Sequence, residues 1–405
     1  MTRSAGQLGM IGERDCPVCD GRKKRRLYKQ RFSTLSESIQ LKGYDVVVCE
    51  DCGFAYADAI PDQAWFDSYY SNASKYTYDQ REGRESSADG ARLQSIADMI
   101  AKHLPERKSR ILDFGCATGG LLHRLKQAGY LHLLGVEKTK SAGKVAQKLY
   151  SVPVVNDSLE SLAVVEEPFD LMILSGVLEH ICDVRSLLLK TRPLLSRGGL
   201  LCIEVPDAVG FEQHVDTPFQ EFSVEHINFF SSQSLRNLLA RYGFETIEVL
   251  RLTRDYTSIS KMAVLCGFFR FTALEGGKPA FDRETGPAME QYIQKSLEEE
   301  KAISRSIDEL ASRRTPLIVW GVGTYTLHLI ESTAFRKLNI VAFTDSNRNY
   351  QNRTLLEKPV LAPSDLKAYP HPILISTYAF QQEIREQIRG NLELPNDIVT
   401  LRERN

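Results

Sequence analysis

The 405-residue chain has almost no net charge: 51 Lys and Arg stand against 52 Asp and Glu, leaving −1. That balance excludes a protein held on nucleic acid or anionic lipid by bulk charge. No run of about 18 apolar residues is present, so no transmembrane helix is expected. The first 11 residues lack the apolar core of a secretory signal, and a cytoplasmic location is expected. Eight cysteines in a chain of this length do not make a disulfide framework. The third glycine of the dinucleotide fingerprint is also missing, which argues against a nicotinamide-binding domain. Hydrophobic content of 42% and charged content of 25% are ordinary for a globular protein, and the length accommodates about two or three domains.

The most informative stretch is Asp113-Phe114-Gly115-Cys116-Ala117-Thr118-Gly119-Gly120, between the apolar run Arg110-Ile111-Leu112 and the helix-like Leu121–Leu125. A strand that ends in Asp, turns on glycines and enters a helix cradles a nucleotide-like ligand, because Gly115 and Gly119 let the backbone come close. The spacing is Asp-x-Gly-x-x-x-Gly. An acid at the strand end suits a cationic amino-acid ligand such as S-adenosylmethionine (SAM), which carries an ammonium and a sulfonium and no phosphate. Leu133–Val136 is a second apolar strand ending in Glu137, 22 residues beyond Gly115, near the offset at which an acid reaches a ribose diol. Asp157 follows a third apolar run and is expected near adenine. Phe169–Ser175 reads as a buried strand. The expected cofactor residues are Asp113, Gly115, Cys116, Gly119, Glu137, Asp157 and Ser175.

Four cysteines form two Cys-x-x-Cys pairs, Cys16/Cys19 and Cys49/Cys52, separated by 29 residues. Two such knuckles predict a structural Zn²⁺ held by four thiolates, with no open position for catalysis and with the insert Leu27–Val48 forming a hairpin. A thioredoxin-like redox pair accounts for one motif but not for two. The basic run Arg22–Arg26 reads as a solvated turn beside that site. The remaining cysteines, Cys116, Cys182, Cys202 and Cys266, read as small core residues.

After the knuckles come aromatics: Trp65, Phe66 and Tyr69 at helical spacing as a packing face, then Tyr76 and Tyr78 in a loop, able to reach a cleft. An amphipathic helix from about Ser87 leads into the core. A long charged helix from about Met289 to Ser312 has one apolar stripe and reads as a strut. From Pro316 a second α/β unit follows, with strand Leu317–Trp320, turn Gly321-Val322-Gly323, helix Thr324–Ser332, and a second strand ending in Asp345. It fits a dinucleotide site, a seat for the nucleotide part of a substrate, or a structural lobe. The expected fold class is α/β: a zinc-knuckle domain with aromatic linker (1–85), a Rossmann-like core (86–265), a connecting segment and long helix (266–314), and a smaller Rossmann-like lobe (315–405).

The core motifs, Leu112–Gly119, Glu137, Phe169-Asp170, Val177-Leu178-Glu179-His180-Ile181 and Arg197-Gly198-Gly199, resemble class I SAM-dependent methyltransferases. The whole order, with the paired Cys-x-x-Cys motifs and Glu225-His226-Ile227-Asn228-Phe229-Phe230-Ser231, resembles the zinc-containing sugar C-methyltransferases that act on nucleotide-linked 4-keto deoxysugars. The resemblance implies that Glu225 and His226 lie at the sugar site with His226 as base, His180 close by, and Tyr76 or Tyr78 as the matching linker tyrosine. It implies SAM and structural Zn²⁺ as cofactors and a nucleotide sugar as substrate, with neither nucleic acid nor membrane as partner. The sequence departs from the family at Ser223, where a Tyr is usual, and at Gly321–Thr326, which lacks the usual Lys. Methylation of a sugar hydroxyl or another small metabolite is therefore the alternative. A non-catalytic SAM-binding scaffold is a third reading. A nucleic-acid methyltransferase is a fourth, disfavoured by the neutral charge.

Overall fold

The computed structural model describes residues 12–36, 41–72, 84–139, 142–156 and 167–402. Among these residues three sheets form, of four, seven and six strands.

The smallest sheet is built on the knuckles. Strands β1 (Lys24–Arg31) and β2 (Gly43–Cys49) form the expected hairpin, and β3 (Ala55–Asp58) follows the second knuckle. The basic run is not a loose turn. Lys24 pairs with Asp58 at 2.7 Å, Arg25 with Glu290 at 2.8 Å and Arg26 with Asp45 at 3.3 Å. Helix α1 (Gln63–Asn72) buries Trp65, Phe66 and Tyr69, with Trp65 stacked on Tyr69, as their spacing predicts.

The core opens with α2 (Ser87–His103). The Ser86 hydroxyl caps it by accepting from the Asp89 N–H, and Ile96, Ala97 and Ile100 face inward. Then come β4 (Arg110–Phe114), α3 (Gly120–Gln127), β5 (His132–Val136), α4 (Ala142–Tyr150), β6 (Val154–Val155), β7 (Phe169–Ser175), α5 (Val184–Thr191) and β8 (Leu195–Pro206). After the two-residue β9 (Asn228–Phe229) come α6 (Ser232–Arg241), which starts on a Ser231/Ser234 capping box, β10 (Phe244–Asp255) and β11 (Lys261–Phe271). The sheet order is β10-β11-β8-β7-β4-β5-β6, and only β11 runs against the other strands. The strand order reverses between β4 and β7, so their carboxyl ends open the crevice where such sheets bind ligands.

Two features differ from the expected boundaries. β11 runs to Phe271, because its antiparallel pairing with β8 extends to Arg270, and a break at 265 cuts through it. And β9 belongs not to the core sheet but to the knuckle sheet, pairing with β3 to give the order β1-β2-β3-β9.

Helix α7 (Thr285–Arg313) is longer than its stripe predicts and ends on Arg314 in the left-handed conformation. It does act as a strut: Met289, Tyr292 and Ile293 pack against the knuckle sheet, whereas Ile303 and Ile307 pack into the last domain. That domain contains β12 (Leu317–Trp320), α8 (Thr324–Ser332), β13 (Ile340–Thr344), β14 (Thr354–Leu355), β15 (Lys358–Leu361), β16 (Ile373–Ile375), α9 (Gln381–Glu386) and β17 (Ile398–Thr400). Its order is β14-β15-β13-β12-β16-β17, again doubly wound. Among the described residues no helix is long and apolar enough to cross a membrane.

Candidate active site

Two loops meet at the crevice. The first is the turn after β4. Gly115 has φ 76° and Gly119 φ 82°; a Cβ on Gly119 would sit 2.7 Å from Val152 Cγ2. Both positions therefore need glycine. Glu137, at the end of β5, accepts from the Ala117 N–H (3.2 Å) and the Thr139 N–H (2.9 Å), which fixes its carboxylate under the turn. Cys116 is turned into the core, because Gly135 leaves space for its sulfur, so its backbone rather than its thiol faces the turn. Ser175 does end β7 at the crevice, but its hydroxyl is taken up by Arg92 and Glu204, at 3.1 Å each. Asp157 lies outside the described residues.

Asp113 is buried, and burial with the repulsion of Glu137 raises its pKa to about 7, Arg92 working against the shift. A buried acid of this kind awaits a cation, and SAM carries two. The glycine turn that a Cβ would fill, the fixed Glu137 and the cation-seeking Asp113 together fit SAM.

The sign of the pH dependence follows. The folded protein holds the Asp113 proton more tightly than the unfolded chain does. This contribution to stability is present below the ordinary value of 3.8 and is lost as pH rises through about 7. A bound cation favours the ionised form. SAM binding near pH 6 should therefore release a proton, and its apparent affinity should rise between pH 6 and 8 by up to about tenfold per unit. Calorimetry in two buffers of different protonation enthalpy reads the release directly. No release in the wild type, or the same release in Asp113→Asn, would sink the assignment.

The second loop pair carries a cluster of titratable side chains. The 3-10 turn Leu178–His180 follows β7, and Glu225-His226 precede β9. The His180 Nδ1–H donates to the Glu225 carbonyl at 2.9 Å, which leaves Nε2 facing Glu179 Oε1 at 3.7 Å. The rings of His180 and His226 are 5.1 Å apart, and Glu221 Oε2 lies 3.8 Å from His226 Nδ1. Burial raises the Glu179 pKa to about 7, with the charge of His226 opposing it. Among the described residues, buried Glu179 Oε2, Glu225 Oε2 and His226 Nδ1 have no hydrogen-bond partner. Unsatisfied buried polar atoms gathered at one place call for a polar ligand.

Tyr76 and Tyr78 lie outside the described residues. Among the described residues a phenol reaches this site from Tyr69, whose hydroxyl donates to Glu225 Oε1 at 3.2 Å. Its spacing marks it only as a packing residue; the polar role appears once α1 folds over the crevice. Helix α1 is held there by two further contacts: Gln63 Oε1 accepts from the Cys182 N–H (2.9 Å), and Asp67 pairs with Lys138 (2.7 Å). Ser223 supplies no phenol. Its hydroxyl accepts from the backbone N–H groups of Glu225 (3.2 Å) and His226 (3.1 Å) and shapes the turn that presents them.

The four knuckle sulfurs converge. Cys16 Sγ and Cys52 Sγ are 3.6 Å apart, Cys19 Sγ and Cys49 Sγ 3.5 Å, and all four lie within 4.8 Å of one another. A tetrahedral ion with Zn–S bonds of about 2.3 Å needs sulfurs roughly 3.8 Å apart, so the set fits.

A doubly wound sheet with β11 inserted antiparallel between β8 and β10, and with an Asp–glycine turn and an acid at its switch point, is the class I fold of SAM-dependent methyltransferases. Parts of the chain are similar to known proteins. Residues 88–249 match the family model described as a methyltransferase domain, and residues 314–399 match one described as C2185-like, N-terminal. An uncharacterized protein of Methanocaldococcus jannaschii is 24% identical over 194 residues, covering 47% of this chain and 88% of that one. The ubiquinone biosynthesis O-methyltransferase of Bartonella quintana is 23% identical over 163 residues, covering 37% of this chain and 66% of that enzyme. A SAM-dependent methyltransferase structure from Methanosarcina mazei, 17% identical, covers 44% of this chain and 98% of its own, with a TM-score of 0.38. The chain is a SAM-dependent methyltransferase.

Proposed function

We propose that the enzyme transfers a methyl group to the carbon beside the ketone of a nucleotide-linked keto-deoxysugar, with Cys16, Cys19, Cys49 and Cys52 holding a structural Zn²⁺. The observation that carries the reading is the convergence of His226, His180, Glu179 and Glu225, with unsatisfied buried atoms, beside the cofactor turn. A carbon acceptor needs a base, and an imidazole titrates in the right range. His226 takes the proton next to the ketone, and the C–H electrons pass into an enolate. His180, whose Nδ1–H is committed to the Glu225 carbonyl, offers Nε2 to the enolate oxygen when protonated. Tyr69 holds the Glu225 carboxylate in place. Bound SAM supplies an electrophilic methyl, and the acceptor carbon must be held in line with it, about 3 Å away. Asp113, Gly115, Gly119 and Glu137 are the residues assigned to the cofactor.

The test is NMR on a panel of nucleotide sugars, with and without a 4-keto group, incubated with enzyme and ¹³C-methyl SAM in D₂O. Label on carbon, with deuterium entering beside the ketone, supports the proposal. Label on oxygen with no exchange overturns it.

That second outcome has an observation in its favour. One donor atom each from Glu179, His180 and His226 lies within 4.8 Å of the others, a set able to hold a divalent ion that would acidify a hydroxyl acceptor. The relative from Bartonella quintana is named an O-methyltransferase. Methyl transfer that stops with a mild chelator, while the four-cysteine site stays loaded, separates this reading from the first.

A further inference from the structure

We infer that Arg14 and Asn228 form a clamp through which the N-terminal module sets the positions of His180 and His226. The inference rests on reading these histidines as the acid–base pair. Arg14 is two residues before Cys16. Its guanidinium donates to four acceptors: Nη1 to the carbonyls of Ala57 (3.0 Å) and Ile227 (3.3 Å), and Nη2 to the carbonyl of Cys182 (2.9 Å) and to Asn228 Oδ1 (3.1 Å). One side chain therefore touches the knuckle sheet, the turn after His180 and the strand after His226. Arginine's planar fork suits such a junction, and lysine's point charge does not.

Asn228 completes it. Its side chain is buried, with Oδ1 bound to Arg14 and Nδ2 donating to the carbonyls of Leu178 and Ile181, at 2.8 Å each. Those carbonyls bracket Glu179 and His180. The two loops are then cross-linked by the Ile227 N–H to the Glu179 carbonyl (2.8 Å) and by the His180 Nδ1–H to the Glu225 carbonyl (2.9 Å). The module holds the preceding segment as well: Gln30 of β1 donates to the Phe222 carbonyl (3.0 Å), and Tyr44 of β2 to the Ser223 carbonyl (2.8 Å). β3 pairs with β9 itself. Both donors and the oxygen of the Asn228 amide are engaged across this junction, so neither loop can shift without breaking a buried bond.

The test needs no acceptor substrate. Asn228→Asp keeps the size and the Arg14 contact but loses both donors and sets a carboxylate against two carbonyls. Arg14→Lys loses the fork. With ¹⁵N-histidine labelling, the wild-type His180 ring should hold the Nδ1–H tautomer. Each variant should show a shifted or averaged His180 signal and exchange of the Ile227 amide at least about tenfold faster, with SAM affinity within about twofold, since the cofactor turn shares no partner with the clamp. Methyl transfer to any acceptor the panel identifies should fall on the order of 100-fold. Folded variants with a wild-type His180 signal and wild-type Ile227 exchange overturn the inference. If both variants fail to fold, the pair is a folding element and not a positioning device, and the inference fails. A wild-type His180 in a different tautomer also overturns it. None of these readouts depends on whether the acceptor is carbon or oxygen.

Discussion

Replacing His226 by alanine should lower turnover by about 10² to 10⁴, the usual worth of a positioned general base, and leave SAM affinity within a few fold. The expectation comes from separation. Asp113, the glycine turn and Glu137 sit at the ends of β4 and β5, whereas His226 enters on the loop before β9 and meets the crevice beside His180. On the proposed reading its removal takes away the base and leaves the cofactor turn untouched. Single-turnover methyl transfer and calorimetry on the same preparation measure both halves. A collapse of SAM affinity would make His226 a packing residue. Retained turnover would move the base to His180 or Glu179. If a hydroxyl is the acceptor, the same loss is expected, because an alcohol also needs its proton removed, so the ¹³C experiment and not this variant decides the acceptor.

Taking the metal from the four-cysteine site, or replacing Cys49 by serine, should have an effect as large by another route. Structural zinc in small modules contributes about 10–16 kcal/mol of binding free energy to folding. Cys49 ends β2, and the second knuckle leads into β3. Without the ion, four crowded thiols are left in a buried corner. Phe54 and Tyr56, both fully buried, lose the frame that packs them. The sheet that opens includes β9, so the loop that carries Glu225 and His226 should loosen with it. One zinc per chain that survives dialysis, a thermal transition that falls on chelation and returns with added Zn²⁺, and poor solubility of Cys49→Ser are the expected results. Metal-free protein with an unchanged transition would refute the zinc assignment.

Local features of the sequence reported local structure faithfully. Gly323 followed by a compact helical run marks Thr324–Ser332, and the structure has a helix with those ends. Asp113, Gly115 and Gly119 announce their turn because backbone conformation there permits little else. The two Cys-x-x-Cys pairs announce their convergence because sulfur at that spacing has few other uses. What stayed hidden has one physical cause: the partner is far away in the chain. Tyr69 carries the same signal as Trp65 until the hydroxyl meets Glu225, 156 positions on. Arg14 looks like any surface cation before a knuckle, yet its acceptors lie up to 214 positions away. Asn228 sits in a run of aromatics with no periodic cue to its buried amide. Ser223 shows the converse: its departure from the family pattern is plain in the sequence, and only the fold shows the hydroxyl turned back to its own loop.

The pairing of β3 with β9 has a consequence for how such enzymes can be recombined. The strand next to His226 pairs with the N-terminal module, while the glycine turn proposed to hold the methyl donor belongs to the central sheet. On the proposed reading, donor binding and the support of the acceptor loop therefore rest on different stretches of chain. In a chimaera that exchanges residues 12–72 between two relatives, donor affinity should stay with the recipient. The proposed acceptor groups at residues 179–226 also stay with the recipient, and they should keep their positions only if the guest brings its own partner for Asn228. Such a swap looks clean in the linear chain and divides a continuous sheet in space.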